Sequence, residues 1–426
     1  MRIFLDVTRT LVHSRNRTPT GIDRVEHAYV RNLLTQGSDD IWFIANTPFG
    51  AGALSVEEMR RTFSAIEKRH QLSEESSPEF TELLSVLGSP IDGSREVPLV
   101  IGKKYSTKAD SKKSVAAAFL RGALRFSRLL RDNVPTIYLH TSHLQLDEPN
   151  CFSWLRRPEI FPVFFIHDLI PIEFPEFCSP GAAGRHRIRV HTALTHARAL
   201  IVNSKFTRDS LLRYTEEQVP PIGVVPLANS IRETQQVYEP SPLRSQPFFL
   251  HVGTIEGRKN LGHLLNVWRH LIKTMGEVHA PRLVILGSRG WECENVTAAL
   301  DRSRELANHV IEISSANDAE LHCLMRRANG LITVSMTEGF GLPPVEAVRL
   351  GLPVIASDIP AHREVLGDGC EFVAPHDGEA LANKIIALTT KRKNSQAQGV
   401  GLAPFGWHEH VEQALSFINS VISENR

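Results

Sequence analysis

The chain has 426 residues, of which 22% are charged and 42% hydrophobic, with a formal net charge of +1. That length exceeds what one hydrophobic core serves, so two domains of roughly 200 residues are expected, and a charge near zero excludes bulk attraction to nucleic acid. The five cysteines (Cys151, Cys178, Cys293, Cys323, Cys370) are odd in number and form no Cys-x-x-Cys pair. This argues against a disulfide framework or a cysteine zinc site and fits a reducing cytoplasm.

Ile3–Val7 is too short an apolar run for a signal peptide and reads as a first strand. Thr20-Gly21-Ile-Asp23-Arg24 then opens a helix whose N–H groups can meet phosphate, which makes Gly21 a candidate contact. A strand at Ile41–Ala45 follows, and residues 54–96, acidic and helix-rich, read as an excursion within the first domain. Lys103 to Arg131 holds nine Lys/Arg against one acidic residue, Asp110. On a helix over 113–131, Arg121, Arg125 and Arg128 share one face, with Phe119, Ala123, Phe126 and Leu130 on the other. Two readings stand: a surface helix packed on the sheet, or an interfacial helix drawn to anionic lipid. Strands at Thr136–His140, Val163–His167, Ala199–Asn203 and Ile222–Pro226 complete the first set. The most apolar window, Ile160–Ile172, is interrupted by His167-Asp168 and two prolines, well short of the roughly 20 residues a membrane-spanning helix needs.

Tyr238–Pro247, with three prolines, suits a linker. Beyond it Phe248–Val252, Arg282–Leu286, Val310–Ile313, Gly330–Val334, Pro353–Ala356 and Cys370–Val373 form a second strand set. Strands alternating with helices predict an α/β protein of two Rossmann-like, doubly wound domains facing across a cleft, with ligands beyond the carboxyl ends of the strands.

Three constellations fall at such ends. Strand Gly330–Val334 leads into Glu338-Gly-Phe-Gly-Leu-Pro-Pro-Val-Glu346. Gly339 and Gly341 let backbone N–H groups approach a ligand, and a helix starting near Pro343 adds its positive dipole end, an anion cradle suited to diphosphate. Glu338 can reach a transferred sugar there. Glu346 can accept hydrogen bonds from vicinal hydroxyls or simply stabilise its own helix start. The second constellation, Gly253-Thr-Ile-Glu-Gly-Arg258-Lys259-Asn260, sets two cations before the helix Leu261–Ile272, with Asn260 as its expected cap. Cations there oppose the helix dipole, a conflict that a bound phosphate removes; a solvated basic loop is the plainer alternative. The third is His167-Asp168 at the end of an apolar strand, where a neutral imidazole can bond a sugar hydroxyl, or serve structure alone.

Taken together, these blocks resemble glycosyltransferase family 4. Ile285-Leu-Gly-Ser-Arg-Gly-Trp291, Ile166-His-Asp-Leu-Ile-Pro171, Val202-Asn-Ser-Lys-Phe206, Val224-Val-Pro226 and Ala356-Ser-Asp-Ile-Pro360 are also similar to that family's pattern. The resemblance covers most of the chain and implies the two-domain GT-B architecture and a retaining hexosyltransferase. It implies an acceptor-side domain over 1–238, a nucleotide-sugar donor domain over 239–405, and a helix over 406–426 crossing back to the first. It implies Arg258 and Lys259 on the donor diphosphate, Glu346 on the ribose, and Glu338 and His167 around the sugar, with Asp168 toward the acceptor. Gly21, Gly253, Phe340 and the backbone of Gly341 and Leu342 would complete the donor contacts, with the base held near Val310 and Ile311 above a floor opened by Gly287 and Gly290. Departures are Thr20-Gly21 in place of two glycines and Val224-Val-Pro-Leu-Ala-Asn229 in place of a Pro-Asn-Gly turn. No Asp-x-Asp pair stands at a strand end, so neither metal nor cofactor is expected. Within the family this variant is similar to bacterial mannosyltransferases of surface-polysaccharide and lipopolysaccharide assembly, which implies GDP-mannose ahead of a UDP-sugar. It also implies a glycan or glycolipid acceptor and a cytoplasmic, peripheral membrane setting. A sugar-nucleotide 2-epimerase and a non-catalytic nucleotide-sugar sensor are the rival readings.

Overall fold

The computed structural model describes residues 1–14, 19–72, 77–102, 112–215, 218–228, 246–390 and 405–424. The expected linker up to residue 245, the Asn229 departure and the lysines at 103–108 lie outside them. In chain order the strands are β1 (Arg2–Asp6), β2 (Ile41–Thr47), β3 (Gly50–Leu54), β4 (Leu99–Ile101), β5 (Thr136–His140), β6 (Ile160–Ile166) and β7 (Ala199–Val202). They continue with β8 (Ile222–Val224), β9 (Phe248–Val252), β10 (Arg282–Leu286), β11 (Val310–Ile313), β12 (Gly330–Thr333), β13 (Val354–Ser357) and β14 (Glu371–Val373).

They form two sheets, ordered β3-β2-β1-β5-β6-β7-β8 and β14-β13-β12-β9-β10-β11-β4. Pairing is parallel except for β3, which runs antiparallel to β2. Continuous apolar runs explain the arrangement: all seven residues of β6 are buried, as a parallel strand covered by helices on both faces requires. Strand order reverses at β1 in the first sheet and at β9 in the second. The crevices beside Asp6 and His140, and beyond Val252 and Thr333, are therefore the ligand positions of this topology.

The domain boundary at 238 needs one correction. β4 adds to the outer edge of the second sheet, pairing Leu99 with Ile311, and the helix Pro78–Gly88 goes with it. Arg282 Nη1 donates to Val86 O at 2.6 Å, and Ser77 N donates to Glu320 Oε1 at 2.8 Å. The latter half of the 54–96 excursion thus belongs to the second domain, while the chain on either side of it belongs to the first.

The basic helix, Lys112–Arg131, lies against β3 with backbone nearly touching backbone. A Cβ on Gly122 would stand 2.5 Å from Ala53 N, and one on Gly52 2.7 Å from Phe119 Cα. Arg125 therefore turns inward, donating to Ala53 O at 3.0 Å and pairing with Glu58, rather than sharing an open face with Arg121 and Arg128. No described helix is long and apolar enough to cross a membrane. At the other terminus the helix Trp407–Glu424 packs on the first domain. His410 Nδ1 lies 2.7 Å from Pro226 O, and Phe417 covers Gly223 so closely that a Cβ there would sit 2.5 Å from its ring.

Candidate functional site at the domain junction

The loops after β9 and β12 bring two cations and two carboxylates into contact. Glu338 is buried and accepts hydrogen bonds from Lys259 Nζ at 2.5 Å, from Ser335 Oγ at 2.7 Å, and from Arg258 Nη1. The other edge of Arg258 pairs with Glu256, Nη2 to Oε1, at 2.7 Å. Burial alone would raise the Glu338 carboxyl, but Arg258 and Lys259 hold it well below the usual range. Burial lowers Lys259 despite Glu338 beside it, and it raises Glu256 against the pull of Arg258 and Lys259. Lys259 reaches the cluster past Gly253, where a Cβ would stand 3.4 Å from Nζ.

Beyond Glu338 the chain enters the helix Leu342–Arg349 through Gly341, at φ +86, with prolines in the first turn. The left-handed residue needs no Cβ, and the prolines occupy positions whose N–H groups have no helical partner. The backbone N–H groups before them stand at the positive end of the helix, where an anion is favoured. Phe340 is buried in the core, and Glu346 is buried on this helix, within the field of Arg24 from the first domain. Arg24 itself is bonded to Asp318 Oδ1 at 2.5 Å across the cleft, and a Cβ on Gly21 would lie 3.4 Å from Leu342 Cδ1.

On the opposite wall stand imidazoles. His167 Nε2 donates to Thr141 O at 2.9 Å, its backbone N–H donates to His143 Nε2 at 3.2 Å, and its ring stacks on Phe165 at 4.5 Å. Burial lowers His167 to about 4 and drives His143 well below its ordinary value, so both are neutral at pH 7. The loop of Glu338 lies directly on this wall: a Cβ on Gly339 would be 2.5 Å from His167 O, and Ser204 Oγ donates to Gly339 O at 2.9 Å. Asp168 accepts from Ile170 N at 3.1 Å. Its field reaches Arg258 across the junction.

Two expected roles fail on geometry. Val310 and Ile311 open β11, level with Leu283 and Val284. They are fully buried at the strand's amino end, whereas ligands gather at carboxyl ends. The space where Gly287 and Gly290 lack a Cβ is filled by protein: a Cβ on Gly287 would be 1.9 Å from Gly253 O, and one on Gly290 2.8 Å from Thr254 Cγ2. Asn260 does not cap the helix Leu261–Met275 with its side chain. It adopts φ 55 and donates from Nδ2 to Pro375 O at 2.9 Å. Sequence reasoning also passed over Glu256, Ser335, Ser204, Arg24 and His143. The first four stand inside or beside the quoted blocks; His143 carries no local signal.

Residues 236–399 match the family model described as Glycosyl transferases group 1. Over 262 residues the chain is 27% identical to O-antigen chain mannosyltransferase B of Escherichia coli, a match covering 59% of this chain and 68% of that one. It is 27% identical over 294 residues to the serotype-specific mannosyltransferase WbdA of Escherichia coli, covering 65% of this chain and 36% of that longer protein. Among solved structures, sucrose-phosphate synthase from Thermosynechococcus elongatus superposes with a TM-score of 0.62 at 16% identity, covering 100% of both chains. Anabaena HepE in complex with UDP and glucose gives 0.58 at 15% identity, covering 99% of this chain and 100% of that one. The fold is therefore GT-B: two Rossmann-like domains of the kind found in these glycosyltransferase structures.

Proposed function

We propose that this chain is a retaining glycosyltransferase of the family 4 type, moving mannose from GDP-mannose to a glycan or glycolipid acceptor in bacterial surface-glycan synthesis. The observation that carries the reading is the cluster of Arg258, Lys259 and Glu338 beside the anion cradle at Gly339–Leu342. The mannosyltransferase names of its relatives support the choice of sugar.

The acceptor hydroxyl attacks the anomeric carbon on the face from which the diphosphate departs. The new carbon–oxygen bond forms as the bond to phosphate breaks, and the hydroxyl proton passes to a phosphate oxygen of the leaving group. Arg258 and Lys259 transfer from Glu338 to the diphosphate and stabilise its growing charge. Glu338, released, bonds hydroxyls of the sugar, Glu346 accepts from the ribose, and neutral His167 faces the sugar from the first domain.

Purified protein incubated with GDP-mannose, UDP-glucose and lipid-linked glycan acceptors tests this. Nucleotide release that depends on acceptor, with mannose retained in its anomeric configuration in the product, is the expected result. Transfer from the UDP-sugar alone overturns the donor, inversion overturns the mechanism, acceptor-independent turnover points to an epimerase, and binding without turnover points to a sensor.

The acceptor's lipid accounts for a second surface, on the cytoplasmic side of the plasma membrane. Leu120 and Leu124 on the helix Lys112–Arg131 are each 77% exposed, and Phe49, in the β2–β3 turn beside it, is 89% exposed. Arg121 and Arg128 on the same helix are also exposed. Apolar groups among arginines suit an anionic bilayer. Replacing Phe49, Leu120 and Leu124 with Ser should abolish co-sedimentation with phosphatidylglycerol vesicles at low salt; unchanged binding refutes the membrane contact.

A further inference from the structure

Resting on that donor-site reading, we propose that Glu256 is a positioning and charge-balancing residue. It holds Arg258 by the edge that Glu338 does not use, and it takes up a proton when a nucleotide sugar's diphosphate settles between Arg258 and Lys259.

The geometry sets up a charge conflict that must be resolved on binding. Without donor, Arg258 and Lys259 face Glu338 and Glu256, two charges of each sign in one buried cluster. The histidines nearest Glu338, His251 and His362, have their pKa values lowered by burial and add no charge at neutral pH. A diphosphate diester carries two negative charges at neutral pH, so the liganded cluster would be net negative by two in a site where charge is poorly screened. One carboxylate is released from that conflict most easily by protonation. Glu338 is met by a guanidinium, an ammonium and a hydroxyl, all of which favour its ionised form.

Glu256 is met differently. Its carboxylate pairs with Arg258 Nη2 at 2.7 Å, and its side chain is 4% exposed. From the segment Gly257–Lys259 it faces Arg258 and Lys259, from the loop after β12 Glu338, and from the loop after β6 Asp168. The thiols of Cys178 and Cys293 stand in its field, and Glu292 and Glu294 line the adjoining pocket with it. Apart from Arg258 and Lys259, these neighbours are anionic or neutral. Burial has already raised Glu256 in their company, and an arriving diphosphate adds to the same side.

Protonated Glu256 still accepts a hydrogen bond from Arg258 Nη2 through its carbonyl oxygen, so the guanidinium stays in place while phosphate replaces Glu338 as the acceptor at Nη1. A residue that served packing alone would exchange no proton on binding.

Calorimetric titration of GDP-mannose into the full chain without acceptor, in phosphate and in Tris at pH 7.5, decides the matter. A nucleotide sugar has no phosphate ionisation near neutral pH, so any difference between the buffers reports protons taken up by the protein. Net uptake, approaching about one proton, is expected for the wild type, with affinity weakening as pH rises. Glu256→Gln keeps the hydrogen bond to Arg258 and removes the charge; it should show no uptake and bind about three- to tenfold more tightly at pH 8. Wild-type binding without buffer dependence overturns the proposal, as does undiminished uptake in Glu256→Gln. Should that variant fail to fold, the wild-type measurement in two buffers stands by itself. Absence of binding by both GDP-mannose and UDP-glucose would instead overturn the donor-site reading.

Discussion

On the second domain the strand ends present charge: Arg258, Lys259, Glu256 and Glu338 touch one another beside a helix start. On the first they present the carboxylates of Asp6 and Asp168 together with neutral imidazoles, His167 lowered to about 4 and His143 driven well below its ordinary value. The two surfaces meet where Gly339 lies on His167, yet they suit different partners. The wall of Arg258 and Lys259 concentrates positive charge, while the imidazoles opposite can hydrogen-bond without adding any. The difference teaches that pairing and desolvation act oppositely on the two sides: ion pairing keeps Arg258 and Glu338 charged, whereas at His167 desolvation outweighs the carboxylate of Asp168 and leaves the imidazole neutral.

The division can be broken from the charged side first. Lys259→Ala should lower turnover by about 10²–10³, the usual loss when one group stabilising developing charge is removed; transfer assays with undiminished kcat would end that role. Gly339→Ala attacks the meeting of the walls. Its Cβ would stand 2.5 Å from His167 O, so the loop must lift, and overpacking of this kind costs about 1–3 kcal/mol. The melting temperature and the transfer rate should fall together, and retention of both would show that the contact is dispensable.

The neutral wall answers to pH. His167 and His410 are each lowered by burial to about 4, below the roughly 6.5 of the unfolded chain. The unfolded state therefore binds protons first, and the stability these groups contribute is present above pH 6.5 and is lost as pH falls toward 4. The melting temperature should drop between pH 7 and 5, and His167→Gln should flatten that drop; a slope unchanged in the variant would show that His167 is not among its causes. A smaller effect is expected at the domain junction. Glu364 accepts from the backbone N–H groups of Lys205 and Phe206 at 2.6 and 2.8 Å, capping the helix Lys205–Tyr214 from the other domain. Glu364→Ala should cost about 1 kcal/mol, as loss of a cap does, and should loosen the domains in small-angle scattering. A compact, equally stable variant would rule out the latch.

The cluster of Arg258, Lys259 and Glu338 is legible in the sequence because each of its parts lies within one strand-to-helix turn. Gly253–Asn260 and Glu338–Glu346 hold cations, carboxylates and glycines at fixed local spacing, and parallel topology sends both turns to the same edge. Errors arose where a residue's role depends on what arrives from elsewhere in the chain. At Gly287 the missing Cβ makes room for Gly253 O, 34 positions away, a packing need that local sequence does not show. Val310 and Ile311 were placed at a ligand edge because a strand's sequence does not mark which of its residues is level with the neighbouring strand's start. Helical periodicity sets Arg125 on one face with Arg121 and Arg128 because it does not register a strand approaching at Gly52 and Gly122.

By itself the sequence determined two parallel sheets and a charged strand-end cluster, since apolar runs, turn residues and short motifs act over a few residues. Tertiary structure alone decided that β4 leaves the first domain to close the edge of the second sheet. It alone brought Arg24, Ser204 and Glu364 into cross-domain bonds and paired Glu256 with the edge of Arg258 that Glu338 leaves. The physical reason is common to all of them. A three-residue strand or a single side chain has too little local preference to choose its partner, and burial and charge pairing across the assembled cleft make the choice.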